Sequence, residues 1–374
     1  MISGFASQKF KFWLFVSMVL VVFVHSYNLH ERYLQPWTIV NEPLTFTSFT
    51  EYFLTNGIFR FIIPLLFLMS GYLYAIKDYK PYKARTRKRL VTLLIPYLIW
   101  SAAGLLLIYL MEFLPASRAM VASSGLAQID NSRMLIHNYY WYELAARWLF
   151  FPVSYQLWFI SALLVYNIIY PLLRRCVTDK IIKWIFFPIA ILLWLGTFSF
   201  VLIEGEGLLF FSLGIWIQKT SFDIDKPNRL LNPLPWGILF IIFAVIKTWL
   251  AFNGETILGN AIYPTLTLLH KLTELSGVIA VWFGLDRFVR YFMNRKWFVW
   301  ATAFSFIIYV LHAPFVALVI DKVFTYENHF TNYRIFTFIF LAPLIILFCM
   351  GIGLIIRKIW PAGYALLTGG RGLG

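Results

Sequence analysis

Two histidines lie in otherwise apolar stretches of the chain. His25 ends the run 21–25, and His312 lies within the run 306–314. An ionisable side chain inside a membrane segment is costly and is usually retained for a function. A neutral imidazole can take a proton from a hydroxyl group and pass it to a leaving group. The two positions therefore predict proton-transfer chemistry within a membrane domain.

Each histidine also has a purely structural interpretation. His25 can bond a neighbouring helix near the membrane surface, and His312 can join two helices inside the bilayer. Tyr309 lies three residues before His312, which places both on one helical face. Pro314 removes a backbone donor and thereby frees one carbonyl for another partner. From the residues alone, both interpretations stay open.

A run of seven lysines and arginines between residues 77 and 89 is a second candidate site. Several such residues at the start of a helix suit the binding of a polyphosphate. The same run is equally explained as a topology signal or as a contact with anionic lipid headgroups. The residues that we predict to bind a phosphorylated donor are Lys83, Arg85, Lys88 and Arg89.

A third group consists of isolated charges within the later apolar stretches. Such groups should face a cavity or pair with one another. Arg60 with Glu51, and Lys271 with Glu274, can form structural pairs. Together the charges predict a polar cavity in the outer half of the membrane, where Arg60 and Glu274 can bind substrate. The members are Arg60, Glu204, Glu206, Lys247, His270, Lys271 and Glu274.

The small pair Ser70-Gly71 interrupts an apolar run. Small residues let another backbone approach closely, and they can also leave room for an acyl chain or a pantetheine arm. The sequence contains no zinc-ligand spacing, Gly-rich phosphate loop or nucleophile elbow. We therefore predict no metal site and exclude the common soluble enzyme classes.

The composition indicates which elements must position these residues. Of the 374 residues, 60% are hydrophobic and 13% are charged, whereas soluble domains carry about 25% charged residues. The 38 Phe, 15 Trp and 21 Tyr suit a lipid-facing surface with interfacial aromatic belts. The two cysteines do not indicate a disulfide framework. The chain is therefore predicted to be a membrane protein.

A transmembrane helix needs roughly 17–25 apolar residues, and ten stretches are candidates, although 205–219 is short and Glu204-Gly205-Glu206 separates it from the stretch before it. With a cytoplasmic N-terminus, alternating spans place 23 of the 32 lysines and arginines on the cytoplasmic side, as the positive-inside rule requires. We predict a single all-α polytopic domain over residues 1–374, with about ten transmembrane helices and both termini cytoplasmic. This topology explains the net charge of +15 without a nucleic-acid partner. The predicted spans are 11–29, 57–76, 89–112, 154–173, 183–202, 205–219, 234–252, 264–286, 297–320 and 335–357.

The long outer segment 113–153 carries the aromatic run 139–142. Asp130 can cap a helix, and we predict an amphipathic helix over 131–150 that lies on the outer membrane surface. Its aromatic rings can contact an acceptor sugar.

Six patches, taken in order, resemble the acyltransferase-3 family of integral-membrane O-acyltransferases. They extend over nearly the whole chain. At two positions where family members often carry arginine, this chain has Leu14 and Leu93. The patches are the run ending at His25, 68–72, Lys88-Arg89 leading into 95–100, 157–160, 210–214 and 306–314.

The resemblance implies ten membrane helices and an acyl-CoA donor taken from the cytoplasm. It implies transfer of an acyl group, often acetyl, to a hydroxyl of a carbohydrate or glycolipid at the outer face. His25 is then the catalytic residue, and Arg85, Lys88 and Arg89 handle the donor. We expect the protein in a bacterial cytoplasmic (inner) membrane, in contact with membrane lipid.

The predicted mechanism is a direct attack on the thioester. The CoA phosphates bind the cluster at 83–89, the pantetheine arm passes Ser70, and His25 deprotonates the acceptor hydroxyl. Tyr309, His312 or Trp158 stabilises the developing oxyanion. Two alternatives remain open: a proton-coupled carrier or flippase for a saccharide or small polar solute, and a catalytically silent membrane scaffold.

Overall fold

A computed structural model describes residues 2–31, 33–200, 202–220, 222–327 and 332–372. Most of these residues are helical, and the only strands among them form an antiparallel hairpin of β1 (Ser199–Phe200) and β2 (Ile203–Glu204). The predicted all-α class is confirmed. The α-helices are α1 (Gly4–His25), α2 (Phe46–Tyr52), α3 (Ile62–Ala75), α4 (Tyr82–Arg89), α5 (Ile95–Met111), α6 (Pro115–Ser124), α7 (Trp141–Leu149), α8 (Trp158–Ile168), α9 (Tyr170–Thr178), α10 (Ile182–Leu195), α11 (Gly205–Lys219), α12 (Pro233–Leu258), α13 (Ile262–Gly284), α14 (Asp286–Met293), α15 (Lys296–Thr302), α16 (Ser305–Glu327), α17 (Tyr333–Ile359) and α18 (Pro361–Thr368).

Six helical stretches in the described residues are long and apolar enough to cross a membrane. The number rises to seven if the broken pair Tyr155–Ile168 and Tyr170–Thr178 forms one span. The chain is therefore an integral membrane protein, and the count of ten spans stays a prediction. The six stretches are Gly4–His25, Phe46–Tyr79, Tyr82–Met111, Arg229–Gly284, Ser305–Phe324 and Tyr333–Ile359.

The stretch Arg229–Gly284 folds back on itself. Gly259, between α12 and α13, has a φ of 51°, which glycine adopts without strain. Positions equally far from this turn meet: the Phe240 ring lies against Gly277, and Lys247 bonds His270. The two helices are therefore antiparallel. With 26 and 23 residues, each exceeds the roughly 20 residues that cross a bilayer.

Three of the predicted spans are not single helices. In 183–202, α10 ends at Leu195 and the chain continues into a turn and strand β1. In 154–173, α8 ends at Ile168 and α9 begins at Tyr170, because Pro171 in its first turn cannot continue the hydrogen bonds of the preceding helix. In 297–320, a turn separates α15 from α16. There the Ala303 carbonyl accepts a hydrogen bond from the Tyr364 hydroxyl (3.5 Å).

The amphipathic helix predicted over 131–150 is shorter than expected. Only α7, from Trp141 to Leu149, is an α-helix in this segment. Asp130 Oδ1 accepts the backbone N–H groups of Ser132 (2.9 Å) and Arg133 (3.0 Å). The carboxylate therefore closes a tight turn instead of capping a helix.

The chain forms two compact units. Unit 1 comprises Met1–Lys80 and Ile168–Thr302, and unit 2 comprises Pro81–Asn167 and Ala303–Gly374. Helices α3 and α11 pack together in unit 1, as do α12 and α13. In unit 2, α16 packs against α17. Each unit positions one of the two candidate histidines.

Glycines allow α3 and α11 to meet at backbone distance. A Cβ at Gly71 would lie 2.0 Å from the carbonyl oxygen of Phe211, and one at Gly214 would lie 2.1 Å from that of Leu68. No side chain fits at either position. In the pair Ser70-Gly71, the glycine is therefore used for helix packing.

Substituting Gly71 by alanine should destabilise unit 1, because the new methyl group must push two backbones apart. Overpacking of this kind costs about 1–3 kcal/mol or more. We expect a lower melting temperature of the purified protein in detergent. Gly351→Ala in α17 is the matched control, since no atom lies within 4 Å of a Cβ there. Equal melting temperatures for the two variants would contradict this packing role.

Candidate functional site

His25 is the last residue of α1 and is half-buried. Ser26 ends the helix directly after it: the Ser26 hydroxyl donates to the carbonyl of Val22 (2.7 Å), and the Ser26 N–H donates to that of Phe23 (3.0 Å). The imidazole thus lies at a helix C-terminus, where the partial negative charge of the backbone stabilises a cation. This position suits a ring that becomes protonated for part of a reaction.

Side chains of residues 52–60 hold the segment 33–40, which follows His25 along the chain. We call 33–40 the strap. Three side chains each donate to a strap carbonyl: Arg60 Nη2 to Leu34 (2.8 Å), Asn56 Nδ2 to Gln35 (3.1 Å) and the Tyr52 hydroxyl to Thr38 (3.0 Å). Residues 53–57 form a π-helix, a feature frequent at functional sites. The strap is therefore fixed by hydrogen bonds from residues that are distant in sequence.

Unit 1 also contains a buried network of charged side chains, formed by Glu206, Lys247, His270, Lys271 and Glu274. The side chains of His270, Lys271 and Glu274 are at most 4% exposed, and Lys247 is fully buried. The contacts are Lys247 Nζ to Asn56 O (2.5 Å) and to His270 Nδ1 (2.6 Å), His270 Nε2 to Glu274 Oε1 (2.8 Å), Lys271 Nζ to Glu274 Oε2 (3.2 Å) and to Glu206 Oε2 (3.3 Å), and Trp194 Nε1 to Glu274 Oε2 (3.0 Å).

The network has a defined order of donors and acceptors. An ionised carboxylate only accepts, so the Nε2–H of His270 donates to Glu274 and the Nδ1 of His270 accepts from Lys247. The network ends at the carbonyl of Asn56, whose side chain holds the strap. The buried charges are thus connected to the segment that follows His25.

The predicted pairing of the isolated charges is confirmed for Lys271 with Glu274. The pair of Arg60 with Glu51 that the sequence suggested does not form. Arg60 donates instead to the carbonyls of Thr55 (2.9 Å) and Leu34. Neither partner is adjacent to Arg60 in sequence, so helical spacing gave no indication of them.

A cavity of about 450 Å³ in unit 1 is lined by apolar side chains. Trp13, Phe240 and Phe298 are among them. This cavity differs from the polar one that the charges predicted. The charged side chains are instead packed against one another, since burying them without partners would be costly.

The basic cluster Lys83, Arg85, Lys88 and Arg89 lies on α4 in unit 2. Lys83 and Lys88 are exposed, whereas Arg85 and Arg89 are half-buried. A π-helix over Leu90–Leu94 connects α4 to α5. The cluster therefore presents positive charge at the start of a long apolar helix, as the sequence predicted.

His312 and Tyr309 are buried on α16, in unit 2. His312 Nδ1 bonds the Ile308 carbonyl (3.0 Å), which assigns the proton to Nδ1. The Tyr309 hydroxyl donates to the carbonyl of Gln156. Trp158 is half-buried and begins α8. The structure thus places Tyr309 and His312 on one helix, as predicted.

Gln156 is a residue that the sequence analysis missed. Pro314 lacks the N–H that would bond the carbonyl of Val310, four residues earlier. The side chain of Gln156 donates to that carbonyl instead (2.8 Å). The freed carbonyl was predicted, whereas its partner was not. The available signal was a lone amide in an apolar run.

Comparison with known proteins agrees with this architecture. The relative Succinoglycan biosynthesis protein ExoH from Rhizobium meliloti (strain 1021) is 26% identical over 349 residues, which are 92% of this chain and 88% of that protein. No solved structure gave a significant match. A family model described as an acyltransferase domain matches residues 14–357. The chain therefore belongs to the acyltransferase-3 family, and it is a membrane acyltransferase.

Proposed function

We propose that the protein transfers an acyl group, most simply acetyl, from acyl-CoA to a hydroxyl of an extracytoplasmic carbohydrate or glycolipid. Membership of the acyltransferase family supports the reaction class. The relative named for succinoglycan biosynthesis supports a carbohydrate acceptor. The observation that carries the proposal is the half-buried imidazole of His25 at the end of a membrane helix.

In the proposed reaction, His25 acts first as a base and then as an acid. It takes the proton from the acceptor hydroxyl while the hydroxyl oxygen attacks the thioester carbonyl carbon. The tetrahedral intermediate collapses, the carbon–sulfur bond breaks, and His25 returns the proton to the thiolate of CoA. The products are the acyl ester and CoA thiol, so protons and electrons balance without a further reactant.

The donor binds through its phosphates in this proposal. Lys83, Arg85, Lys88 and Arg89 supply charge-assisted hydrogen bonds to them. The pantetheine arm passes Ser70, which is half-buried, while the position of Gly71 is occupied by the contact with α11. No metal is required. This chemistry suits acyl-CoA better than an uncharged acyl donor.

Three residues are candidates for stabilising the oxyanion: Tyr309, His312 and Trp158. The Tyr309 hydroxyl and His312 Nδ1 already donate to the backbone carbonyls of Gln156 and Ile308. Either group must therefore change its hydrogen-bond partner before it can donate to substrate. Part of the Trp158 residue is exposed. Arg60 and Glu274 are proposed to shape the acceptor site, and the exposed rings of Tyr140, Trp141 and Tyr142 can stack on sugar.

The proposed topology has ten transmembrane helices with both termini in the cytoplasm of a bacterium, in the inner membrane. The positive-inside distribution of lysine and arginine supports it. This orientation places the basic cluster at the cytoplasmic face, where acyl-CoA is present, and His25 near the opposite face.

A transfer assay tests the function directly. The purified protein in lipid nanodiscs is given acetyl-CoA labelled in the acetyl group, together with an oligosaccharide acceptor. We expect label on the carbohydrate in an alkali-labile ester, with release of one CoA thiol for each ester formed. In proteoliposomes, uptake of saccharide without acyl-CoA and without ester formation would favour a carrier or flippase instead.

A further inference from the structure

The glycine-rich segment 368–372 folds back onto unit 2. Gly369, Gly370 and Gly372 have φ values of 61°, 78° and 75°, a region that side chains other than glycine seldom adopt. A Cβ at Gly369 would lie 2.3 Å from the Thr92 carbonyl oxygen, and one at Gly372 would lie 2.2 Å from that of Ala303. The glycines therefore let the segment that carries Arg371 pack closely against the backbone at Thr92 and Ala303.

The hydrogen bonds of Arg371 go to backbone carbonyls. Its Nη1 donates to Thr92 (2.9 Å) and to Thr368 (2.8 Å). The guanidinium carbon lies 4.7 Å from the centre of the Phe306 ring. Within the described part of the chain, no carboxylate lies within 4 Å of this guanidinium group. Among the described residues, Arg371 is thus held by backbone carbonyls and by no carboxylate.

A second cation, Arg89, lies in the same region. Arg89 ends α4 only three residues before Thr92, whose carbonyl binds Arg371. Burial, together with the positive charge of Arg89, lowers the pKa of Arg371 to about 10. Positive charge beside a largely buried guanidinium group is unfavourable and favours the binding of an anion there.

We propose that Arg371, together with Arg89, binds a phosphate group of the acyl-CoA donor. A guanidinium group has donors on Nε and both Nη atoms in a fixed plane, which suits phosphate oxygens. Nη1 of Arg371 bonds the backbone, which leaves Nε and Nη2 for a bidentate contact. This inference rests on the proposed function, and it adds a residue outside the range 14–357 that the family model matches.

Isothermal titration with CoA tests the role of Arg371 in full-length protein in phosphatidylcholine nanodiscs. Loss of charge-assisted hydrogen bonds should weaken CoA binding by roughly 10- to 100-fold in Arg371→Gln. Lys358→Gln is the matched control, because it removes one positive charge from the exposed end of α17. Its CoA affinity should stay within about twofold of wild type. Wild-type affinity in Arg371→Gln would overturn the inference.

Three further measurements make the result specific. Acetyl-pantetheine lacks the nucleotide phosphates, so its affinity should be the same in wild type and Arg371→Gln. Arg371→Lys keeps the positive charge but loses the planar guanidinium group, so it should weaken CoA binding several-fold. Wild-type affinity in Arg371→Lys would count against the inference, even if Arg371→Gln did not fold. An effect of Arg371→Gln seen only in nanodiscs with phosphatidylglycerol would assign Arg371 to lipid headgroups and overturn the donor site.

CoA binding by wild-type protein and by Arg371→Gln separates an error in the donor from an error in the role of Arg371. If wild-type protein binds no CoA, the acyl-CoA donor is wrong and the function must be reconsidered. If wild-type protein binds CoA and Arg371→Gln binds it equally well, only the assignment of Arg371 is wrong.

Discussion

Replacing His25 by alanine should lower the rate of acyl transfer by roughly 10²- to 10⁴-fold, the contribution typical of a positioned general base. In the proposed mechanism the imidazole removes the proton of the acceptor hydroxyl and returns it to the CoA thiolate, and α1 carries no second imidazole. The affinity for CoA should stay unchanged, since the proposed phosphate site does not include His25. Labelled acetyl transfer at saturating acetyl-CoA measures the first quantity, and titration with CoA measures the second.

His30→Ala is the matched control for this experiment. His30 is exposed and lies five residues after His25, so its removal should leave the transfer rate within about twofold of wild type, as expected of an exposed position. His25→Gln should behave like the alanine variant, because glutamine keeps hydrogen bonding but cannot carry the proton. Wild-type rates in either His25 variant would remove this residue from the mechanism.

Substitution of Glu274 by glutamine should strongly destabilise unit 1. The carboxylate accepts hydrogen bonds from Trp194, His270 and Lys271, and its side chain is only 2% exposed. Removing one partner of a buried ion pair typically costs about 3–5 kcal/mol, because the remaining charge stays buried. We expect a clearly lower melting temperature in detergent for Glu274→Gln.

The exposed Glu255 on α12 provides the comparison. Glu255→Gln removes the same charge from the same helical hairpin and should leave the melting temperature unchanged. If Glu274→Gln melts like wild type but shows a raised KM for the acceptor, then Glu274 contacts substrate directly and contributes little to the stability of the network. The two measurements therefore separate a structural role from a binding role.

Many of the helices could be predicted from the sequence, because the length and hydropathy of an apolar run are local properties of the chain. The apolar runs 11–29 and 335–357 correspond to α1 and α17. The fifteen residues of α11 match the predicted span 205–219. The helix break at Pro171 was missed, although a proline donates no backbone hydrogen bond. Hydropathy averaged over a window does not register the loss of a single backbone donor.

The sequence by itself determined the chemical types of the candidate site: an imidazole in an apolar helix, a basic run, and charges that must find partners. Tertiary structure alone decided which partners they find. Lys247 meets His270 across a helical hairpin, Gln156 reaches the carbonyl freed by Pro314, and Arg371 lies against Thr92. Spacing along one helix specifies neighbours three or four residues apart. These contacts join residues far apart in sequence, so only the packing of the whole chain brings their atoms within hydrogen-bond distance.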